Sequence, residues 1–394
     1  LACYQSPPSG NEPPPSGTEP PPSGTEPPSS GSGEVVPGEL RVFIQPSEAR
    51  SAGAKWRRAG TSAWRNSGES EINIPAGTHL IEFSNTTGWS SPANMEVTVG
   101  SGYIAPLTGY YVQNTGNVWH VDDDNKSGTY NGSAQYPDAS IQYAVARASS
   151  GDTIKLAVGT YGPINTEGKA LTFLGGFSGA NSTAYASGQG GNFFTRSYNP
   201  SATTISGGAN QNGVTFTRFS SNAYHGVLDN VRIANSSKGV VCDTVTSWPH
   251  PDNIIVSNSI IENNGASGVT TRGAGIIVCG GSSKIVNNII RSNQGGRGPA
   301  IYGSASVGIL VDNNKVQNNT SYDDHGGGVY LNGPITFSNN IVSGNRVSMS
   351  YGWGGGVLFH SQGTVARMSF NKIYDNYSPL YGAGVFIDEG ATAY

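Results

Sequence analysis

The sequence predicts an all-β protein whose C-terminal half is a solenoid of stacked coils of equal size. Charged residues make up only 12% of the 394 residues, which argues against long surface helices and coiled coils. Glycine is abundant, at 56 residues, and methionine is scarce, at 3, as expected for a turn-rich β protein. From residue 212 onwards a phrase of apolar strand, asparagine and glycine cluster keeps returning. Self-similarity at a constant period is typical of solenoids.

Asparagines and glycine clusters mark two separate points of each predicted coil. The asparagines in register are Asn230, Asn258, Asn287, Asn313, Asn339 and Asn371. The glycine clusters begin at Gly273, Gly298, Gly326, Gly354 and Gly382, with a spacing that settles at about 28 residues. We expect asparagine ladders at the coil corners, where side-chain amides bond from coil to coil and tolerate left-handed backbone. We expect the glycines to allow a tight bend into stacked apolar triplets at 329–331, 357–359 and 385–387.

Residues 137–149 predict an amphipathic helix at the start of the main domain. Asp138 is a plausible N-cap and Gly151 a stop signal, and a strand is expected at 153–158. The apolar positions with helical spacing are Ile141, Ala144, Val145 and Ala148.

The segment from this helix through Gly151-Asp152-Thr153-Ile154 to Gly159-Thr160-Tyr161 resembles the entry to the right-handed parallel β-helix superfamily, which includes pectate-lyase-like proteins. In that superfamily the helix plugs the first coil and covers apolar side chains and backbone that would otherwise be exposed. The resemblance to bacterial β-helix surface proteins covers about residues 118–394, and we assign the β-helix domain to 114–394. Lyases, hydrolases, adhesins and fibres share this fold, so it decides no function.

Residues 38–113 form short alternating runs bounded by Gly, Pro and Ser, which predict half-buried antiparallel strands. The segment resembles a small β-sandwich module of bacterial surface proteins, on the strength of three phrases. These are Gly53-Ala54-Lys55-Trp56-Arg57, Gly88-Trp89-Ser90-Ser91-Pro92 and Gly109-Tyr110-Tyr111. The resemblance implies a spacer or accessory domain.

Residues 1–37 predict an extended arm. A seven-residue repeat, Pro-Pro-Pro-Ser-Gly-Thr-Glu, runs twice from Pro13 to Glu26 and cannot bury a core, so we expect a polyproline-like spacer. Leu1-Ala2-Cys3 resembles the end of a bacterial lipobox, which implies lipidation of Cys3 and anchoring at the outer cell surface. Lipoprotein processing would remove Leu1 and Ala2, so an ordinary thiol at Cys3 is the alternative.

Charge and hydropathy exclude two classes of partner. The net charge of -4 and the pI near 5.9 offer no basic stripe for nucleic acid. No run of about 18 apolar residues is present, so the sequence predicts membrane contact only through a lipid on Cys3.

Acidic and cysteine residues suggest two further sites. Asp122, Asp123 and Asp124 could hold calcium through oxygen ligands, although the run lacks the later Glu of an EF-hand and a solvated loop is the simpler interpretation. Cys242 and Cys279 stand about one coil apart and could form a disulfide or stack as buried thiols.

The residue before each glycine cluster defines the main candidate binding site. Stacked at one coil rise each, these residues would form a cationic and aromatic stripe that suits a polysaccharide, since guanidinium groups bind carboxylates and aromatic faces pack on sugar rings. The alternative is that the side chains only cover a bend. The stripe with its neighbouring loop comprises Arg272, Arg297, His325, Trp353, Tyr381, Tyr322, Asp323 and Asp324.

The sequence favours a structural or binding rod over an enzyme. A uronate lyase would need a basic residue and a cation beside the substrate carboxylate, and a glycoside hydrolase would need paired carboxylates, and neither set is well represented. A glycan-binding adhesin is the third possibility. The last coil runs from residue 385 to Tyr394 without a capping element, which leads us to expect either truncation or end-to-end association of copies into a filament.

Overall fold

The structure, a computed structural model, describes residues 36–394 except 85, 93, 114–115, 218–225, 243–252 and 389. Cys3 and the Pro-rich repeat lie outside the described residues. Among the residues described, no helix has the length and apolar character needed to cross a membrane.

The N-terminal domain consists of two three-stranded sheets that enclose one apolar core, in agreement with the predicted small sandwich. One sheet has the order β3-β1-β7 and the other β2-β4-β6, while β5 pairs with β8. The pairings are antiparallel as predicted, except that β1 and β7 run parallel. Trp56, Leu40 and Ile81 are fully buried between the sheets. Its elements are β1 (Gly38–Gln45), α1 (Ser47–Ser51), β2 (Trp56–Arg58), β3 (Ser70–Ile74), β4 (Gly77–Phe83), β5 (Trp89–Ser90), β6 (Met95–Val99), β7 (Ile104–Tyr110) and β8 (Val112–Gln113).

The remaining described chain winds into a parallel β-solenoid with short strands and short connections. Up to residue 262 its elements are β9 (Val118–Val121), α2 (Ile141–Arg147), β10 (Thr153–Ala157), β11 (Gly159–Tyr161), β12 (Ile164–Asn165), β13 (Thr172–Gly179), α3 (Ser182–Ala186), β14 (Asn192–Arg196), a 3-10 turn (Pro200–Ala202), β15 (Thr203–Ile205), β16 (Val214–Phe216), β17 (Gly226–Asp229), β18 (Arg232–Ala234), β19 (Val240–Cys242), β20 (Ile254–Ser257) and β21 (Ile260–Glu262). The later coils contain β22 (Ile276–Val286), β23 (Ile289–Arg291), β24 (Gln294–Gly295), β25 (Ile301–Asp312), β26 (Lys315–Gln317), β27 (Thr320–Ser321), β28 (Val329–Asn332), β29 (Pro334–Ser338), β30 (Ile341–Ser343), β31 (Arg346–Val347), β32 (Val357–Phe359), β33 (Val365–Ser369), β34 (Lys372–Tyr374), β35 (Val385–Ile387) and β36 (Thr392–Ala393).

Three long sheets run along the described solenoid, and a short parallel sheet, β24-β27-β31, lies in its later coils. Sheet A stacks β9, β10, β13, β17, β20, β22, β25, β29, β33 and β36, and sheet B stacks β12, β16, β19, β22, β25, β28, β32 and β35. The long strands β22 and β25 pass through both sheets. Sheet C is the eight-stranded parallel sheet β11-β15-β18-β21-β23-β26-β30-β34. The predicted triplets are confirmed as one parallel stack, since Val329, Val357 and Val385 are register partners in sheet B.

One large apolar core fills the solenoid from β9 to β33, and a smaller cluster lies on β10, β13 and β14. The predicted entry helix contributes to it, because α2 buries Ile141, Ala144 and Val145 in the same cluster as the first coils. The helix is shorter than expected and Asp138 does not cap it. Asp138 is instead buried and ion-paired with Arg147, in a position N-terminal to the cap residue Ser140.

Two buried asparagine ladders hold the coils in register. The first, at the corner between sheets A and C, runs through Asn288, Asn314, Asn340 and Asn371. Each Oδ1 accepts a hydrogen bond from the backbone N–H at the same position of the preceding coil, which is Ser259 in the case of Asn288. The second, at the other end of sheet C, was not predicted. It runs through Asn264, Asn293, Asn319, Asn345 and Asn376 by the same bond.

The predicted asparagine column is displaced by one residue from the buried ladder. Asn230, Asn258, Asn287, Asn313 and Asn339 occupy the turn itself, in the left-handed conformation that was expected of them. Their side chains also bond from coil to coil, as in the 2.9 Å bond from Asn313 Nδ2 to Asn287 Oδ1. Asn371 belongs to the inner ladder, and Phe370 takes the turn position of that coil.

The glycines that begin the five clusters adopt the predicted tight bend. All have positive φ, between 56° and 67°, and a Cβ on Gly326 would lie 2.9 Å from the Val329 carbonyl oxygen. Left-handed backbone with this little space favours glycine over any other residue. The bend connects the preceding loop to the next strand of sheet B.

The N-terminal domain packs on the outer face of sheet A. Asn287 Nδ2 lies 3.4 Å from the Thr108 carbonyl oxygen, and the Lys284 ammonium lies 5.6 Å from the centre of the Tyr110 ring. Burial raises the pKa of Tyr110, with a further contribution from the charge of Asp312 on the solenoid. A cavity of about 310 Å³ between the two parts is lined by Trp89, Tyr110 and Lys284, among others.

Candidate functional site

The candidate site lies on the loops that lead into sheet B. Backbone bonds connect these loops from coil to coil, from Gly273 N to Arg297 O at 2.9 Å and from Gly354 N to Tyr381 O at 3.0 Å. His325, Trp353 and Tyr381 are successive parallel bridge partners. The residue before each glycine therefore stacks on its counterpart in the next coil, because the glycine bend repeats with constant geometry.

Aromatic rings form the C-terminal part of this stripe. The His325 and Trp353 rings are 4.7 Å apart and meet edge to face, and the Trp353 and Tyr381 rings are 6.4 Å apart and tilted. His325 is only 6% exposed, whereas Tyr381 is 57% exposed. Edge-to-face and tilted contacts at these separations are favourable because of the ring quadrupoles. From His325 to Tyr381 the stripe thus becomes more accessible, from a buried imidazole to an exposed phenol.

The two arginines of the stripe are engaged with neighbouring groups. Arg297 forms ion pairs with Asp323, at 3.4 Å, and with Asp324, at 3.3 Å. The Arg272 guanidinium lies 5.5 Å from the centre of the Tyr302 ring. The stripe is therefore less cationic than its sequence indicates, since the carboxylates of the next coil balance Arg297.

Asp323 and Asp324 join the stripe through His325 and Arg297. The Asp324 Oδ1 contacts His325 Nδ1 and also faces the Arg297 guanidinium. Burial alone would raise the pKa of Asp324, but hydrogen bonds with Asp323 and His325 and the charges of His325 and Arg297 lower it to about 2. Burial and the hydrogen bond with Asp324 raise the pKa of Asp323. Asp324 therefore connects the His325 imidazole to the Arg297 guanidinium.

A second column of rings, which the sequence did not reveal, lies beside the stripe on the outer face of sheet B. Tyr302 and Tyr330 are register partners and stack at 5.3 Å, and Phe386 continues the column two coils later. His360 follows β32 and packs on Tyr330 at 5.4 Å. Tyr330 and Phe386 occupy the middle positions of the predicted triplets 329–331 and 385–387, whose side-chain direction was not predicted.

Exposed aromatic and apolar side chains extend the face into the adjoining loops. Tyr351 is 72% exposed and Tyr377 is 55% exposed. The Arg346 guanidinium lies 5.7 Å from the centre of the Tyr377 ring. Tyr322, by contrast, turns its hydroxyl to Ser267 at 3.0 Å and to Gln294 at 3.3 Å, and is partly buried.

Comparison with protein families identifies the fold of this region. Residues 252–394, which carry the whole of the stripe, match the family model described as the right handed beta helix region. That region is a right-handed parallel β-helix, which agrees with the stacked parallel sheets of the solenoid. No curated protein and no solved structure matches the chain.

The acidic run before the β-helix core does not form a cluster of metal ligands among the described residues. Asp122 is buried and accepts hydrogen bonds from the Tyr185 hydroxyl, at 2.5 Å, and from Ala180 N, at 3.1 Å. Asp123 accepts a bond from Thr160 N at 3.1 Å. These carboxylates bind the loops at the start of the β-helix to one another, and calcium at Asp122, Asp123 and Asp124 stays a prediction.

The two cysteines of the β-helix lie on neighbouring coils of sheet B. Cys242 is buried in β19, and β19 pairs with β22, which contains Cys279. The register partners Val241 and Ile277 place Cys279 one residue beyond the position opposite Cys242. The Cys279 side chain lies outside those described, so the disulfide stays a prediction.

Proposed function

We propose that the β-helix is a rigid rod that binds polysaccharide along the stripe and the exposed loops beside it. The observation that carries this proposal is the in-register stack of His325, Trp353 and Tyr381, with Tyr351 and Tyr377 exposed on the loops that precede Trp353 and Tyr381. Planar rings repeated at one coil rise suit a polymer that itself repeats, because each ring can pack against the apolar face of a sugar. The asparagine ladders keep that spacing constant.

The charges on this face favour a neutral polysaccharide over a strongly acidic one. Arg297 is balanced by Asp323 and Asp324, and Arg272 lies over an aromatic ring. A polyuronate would require cations that are available to its carboxylates. Asp323 and Asp324 instead offer acceptors for sugar hydroxyl groups, which is the usual role of carboxylates beside aromatic rings in a polar ligand site.

Binding to soluble neutral and uronate polysaccharides, measured by affinity electrophoresis and calorimetry, tests the proposal. We expect retardation by at least one neutral glycan, and a weakening of about tenfold in each of the variants Tyr381→Ala and Tyr377→Ala. Tyr143→Ala is the matched control, because Tyr143 is 62% exposed but lies on α2, away from the stripe. Equal binding by all the variants, or retention by none of the glycans, would contradict the proposal.

The same samples separate binding from catalysis. A uronate lyase releases unsaturated products that absorb in the ultraviolet, and a glycoside hydrolase releases reducing ends. We expect neither, because the stripe residues include no lysine and Arg297 is held in two ion pairs. Product release by the wild-type protein that is lost in His325→Ala would support the enzyme instead.

We further propose that the rod works outside the cell, at the outer surface of a bacterium, with the Pro-rich repeat as its spacer. The support for this location is the Pro-rich repeat at residues 13–26, whose composition favours an extended spacer, together with the exposed aromatic rings beside the stripe. Protease shaving of intact cells tests it, with release of the β-helix expected and full protection contradicting it. Lipidation of Cys3 and end-to-end association of copies remain predictions, for which mass spectrometry and light scattering are the measurements.

A further inference from the structure

A cluster of two histidines and one aspartate lies on the outer face of sheet B, next to the stripe. His325, His360 and Asp388 come from three successive coils, and one ligand atom from each lies within 4.8 Å of the other two. His360 Nε2 is 3.7 Å from Asp388 Oδ2. The β-helix itself produces this proximity, because Phe359 and Ile387 are register partners and the residues after them, His360 and Asp388, stack in the same column.

Neighbouring groups orient both imidazoles. His325 Nδ1 contacts Asp324 Oδ1, and His360 Nδ1 lies 2.7 Å from the Ser361 hydroxyl oxygen. A hydrogen bond at one imidazole nitrogen fixes the ring orientation and makes the other nitrogen the metal-binding atom. In metal sites a carboxylate behind a histidine ligand also raises the basicity of that ligand. Asp324 stands in this relation to His325.

Aromatic rings enclose the cluster. His325 packs edge to face on Trp353 at 4.7 Å, and His360 stacks on Tyr330 at 5.4 Å. Within the described part of the chain, the buried indole Nε1 of Trp353 has no hydrogen-bond partner. A buried donor of this kind costs about 1–3 kcal/mol unless an acceptor is supplied. An oxygen ligand on an ion beside His325 would be such an acceptor.

We infer that His325, His360 and Asp388 bind a divalent transition-metal ion, with zinc as the best match. Two imidazoles and one carboxylate suit Zn²⁺ and related ions, whereas Ca²⁺ and Mg²⁺ require oxygen ligands throughout. A tetrahedral zinc ion with bonds of about 2.1 Å separates its ligand atoms by about 3.4 Å. Side-chain rotations that move the ligand atoms by about 1 Å would therefore complete the site. Three protein ligands leave the fourth position open to water or to a ligand oxygen.

The alternative cluster of Asp323, Asp324 and His325 is the weaker candidate. Its ligand atoms also lie within 4.8 Å of one another. Arg297 forms ion pairs with both of these carboxylates, and a cation already in place opposes a second one through Coulomb repulsion. The ligand set with His360 and Asp388 avoids this conflict and keeps Asp324 as the group that orients His325.

Calorimetric titration of the chelator-treated full chain with Zn²⁺, and with Co²⁺ as an optical probe, tests the inference. We expect one ion per chain, the visible absorption of tetrahedral cobalt, and a rise in melting temperature with Zn²⁺ that Ca²⁺ does not produce. His360→Ala and the nearly isosteric Asp388→Asn should each weaken binding by about 100-fold. His79→Ala is the matched control, because His79 lies in the N-terminal domain outside the ligand clusters found among the described residues.

The outcomes separate a true site from loss of fold and from the proposed polysaccharide site. Zinc binding that is unchanged in both His360→Ala and Asp388→Asn, or absent from a wild-type chain with the circular dichroism of a β protein, would overturn the inference. Each variant is first melted without metal, and Asp388→Asn keeps the test valid if His360→Ala does not fold. His360 and Asp388 lie outside the stripe. If their variants lose metal binding but keep glycan binding, the metal site is supported. If they keep metal binding but lose glycan binding, the metal site is contradicted and the polysaccharide proposal is not.

Discussion

Asn340 Oδ1 accepts two hydrogen bonds from Asn314 on the preceding coil, from the backbone N at 2.9 Å and from Nδ2 at 3.1 Å. Its own Nδ2 donates to the Val311 carbonyl oxygen at 2.9 Å and to Asn371 Oδ1 at 3.1 Å. One fully buried amide therefore connects three coils. Because Asn340 is fully buried, the hydrogen bonds of its amide must be satisfied within the protein.

Replacing Asn340 by alanine should destabilise the β-helix strongly. The change leaves buried donors and acceptors without partners, at a cost of about 1–3 kcal/mol for each group, so we expect a loss of at least about 2 kcal/mol in the free energy of unfolding. Urea denaturation followed by circular dichroism measures it. Asn313→Gly is the control, since glycine keeps the left-handed turn and Asn313 is exposed, and it should change stability by less than about 0.5 kcal/mol.

Gly326→Ala tests whether the bend before sheet B requires glycine. At φ of 62° the alanine pays about 1–2 kcal/mol for the left-handed backbone, and its Cβ also meets the Val329 carbonyl oxygen. Gly308→Ala is the matched control, because Gly308 lies in β25 and a Cβ there has its nearest neighbour, Pro334 O, at 3.8 Å. Equal melting temperatures for the two variants would contradict the account of the glycine column.

The sequence period predicted the bends and the stacked strands. It did not predict whether a residue next to a turn points inward or outward. Constant spacing located the bends at Gly326 and Gly354 and the triplets of sheet B. At Asn313-Asn314, however, both residues are asparagine, and only the left-handed conformation of the first reveals that the second points inward. The sequence does indicate the second ladder, because an asparagine follows each member of the first ladder by five residues, as Asn319 follows Asn314.

The candidate site was predictable only where it follows the period. His325, Trp353 and Tyr381 precede glycines of constant spacing, so their stacking could be anticipated. The pairing of Arg297 with Asp323 could not, because those loops differ in sequence from coil to coil. His360 and Asp388 each follow a triplet by one residue, a position that Asn332 occupies one coil earlier, and without the register their proximity to His325 has no sequence signal.

Glu262 should make the stability of sheet C depend on pH. It joins Arg232 and Arg291, each at 2.6 Å, across three coils. Burial alone would raise the pKa of Glu262, but the hydrogen bonds and charges of the two arginines outweigh it and hold the pKa below 4.5. A carboxylate with a lowered pKa in the folded state stabilises the protein above its unfolded-state pKa and loses that contribution as the pH falls through the folded value.

Glu262→Gln measures this contribution. We expect a loss of about 1–3 kcal/mol at neutral pH, which shrinks as the pH falls below the ordinary pKa range of glutamate and the wild-type carboxylate binds a proton. Urea denaturation at several pH values gives the difference. Glu96→Gln is the control, since Glu96 is exposed on β6, and its effect should stay small throughout. A loss for Glu262→Gln that does not vary with pH would show that shape, rather than charge, decides its role.

Tyr110 should couple the unfolding of the N-terminal domain to that of the β-helix. The two parts have separate apolar cores, and the Tyr110 ring lies against Lys284 of sheet A, beside the cavity between them. Tyr110→Ala removes that contact, and a loss of about 1 kcal/mol would lower the melting temperature of a domain this small by about 4–8 °C. Differential scanning calorimetry should therefore show the N-terminal domain melting earlier while the β-helix transition stays in place.

Tyr103→Ala removes a tyrosine that is 74% exposed on the same domain and should leave the calorimetric profile unchanged. The same shift in both variants would mean that Tyr110 stabilises its own domain and not the contact with sheet A.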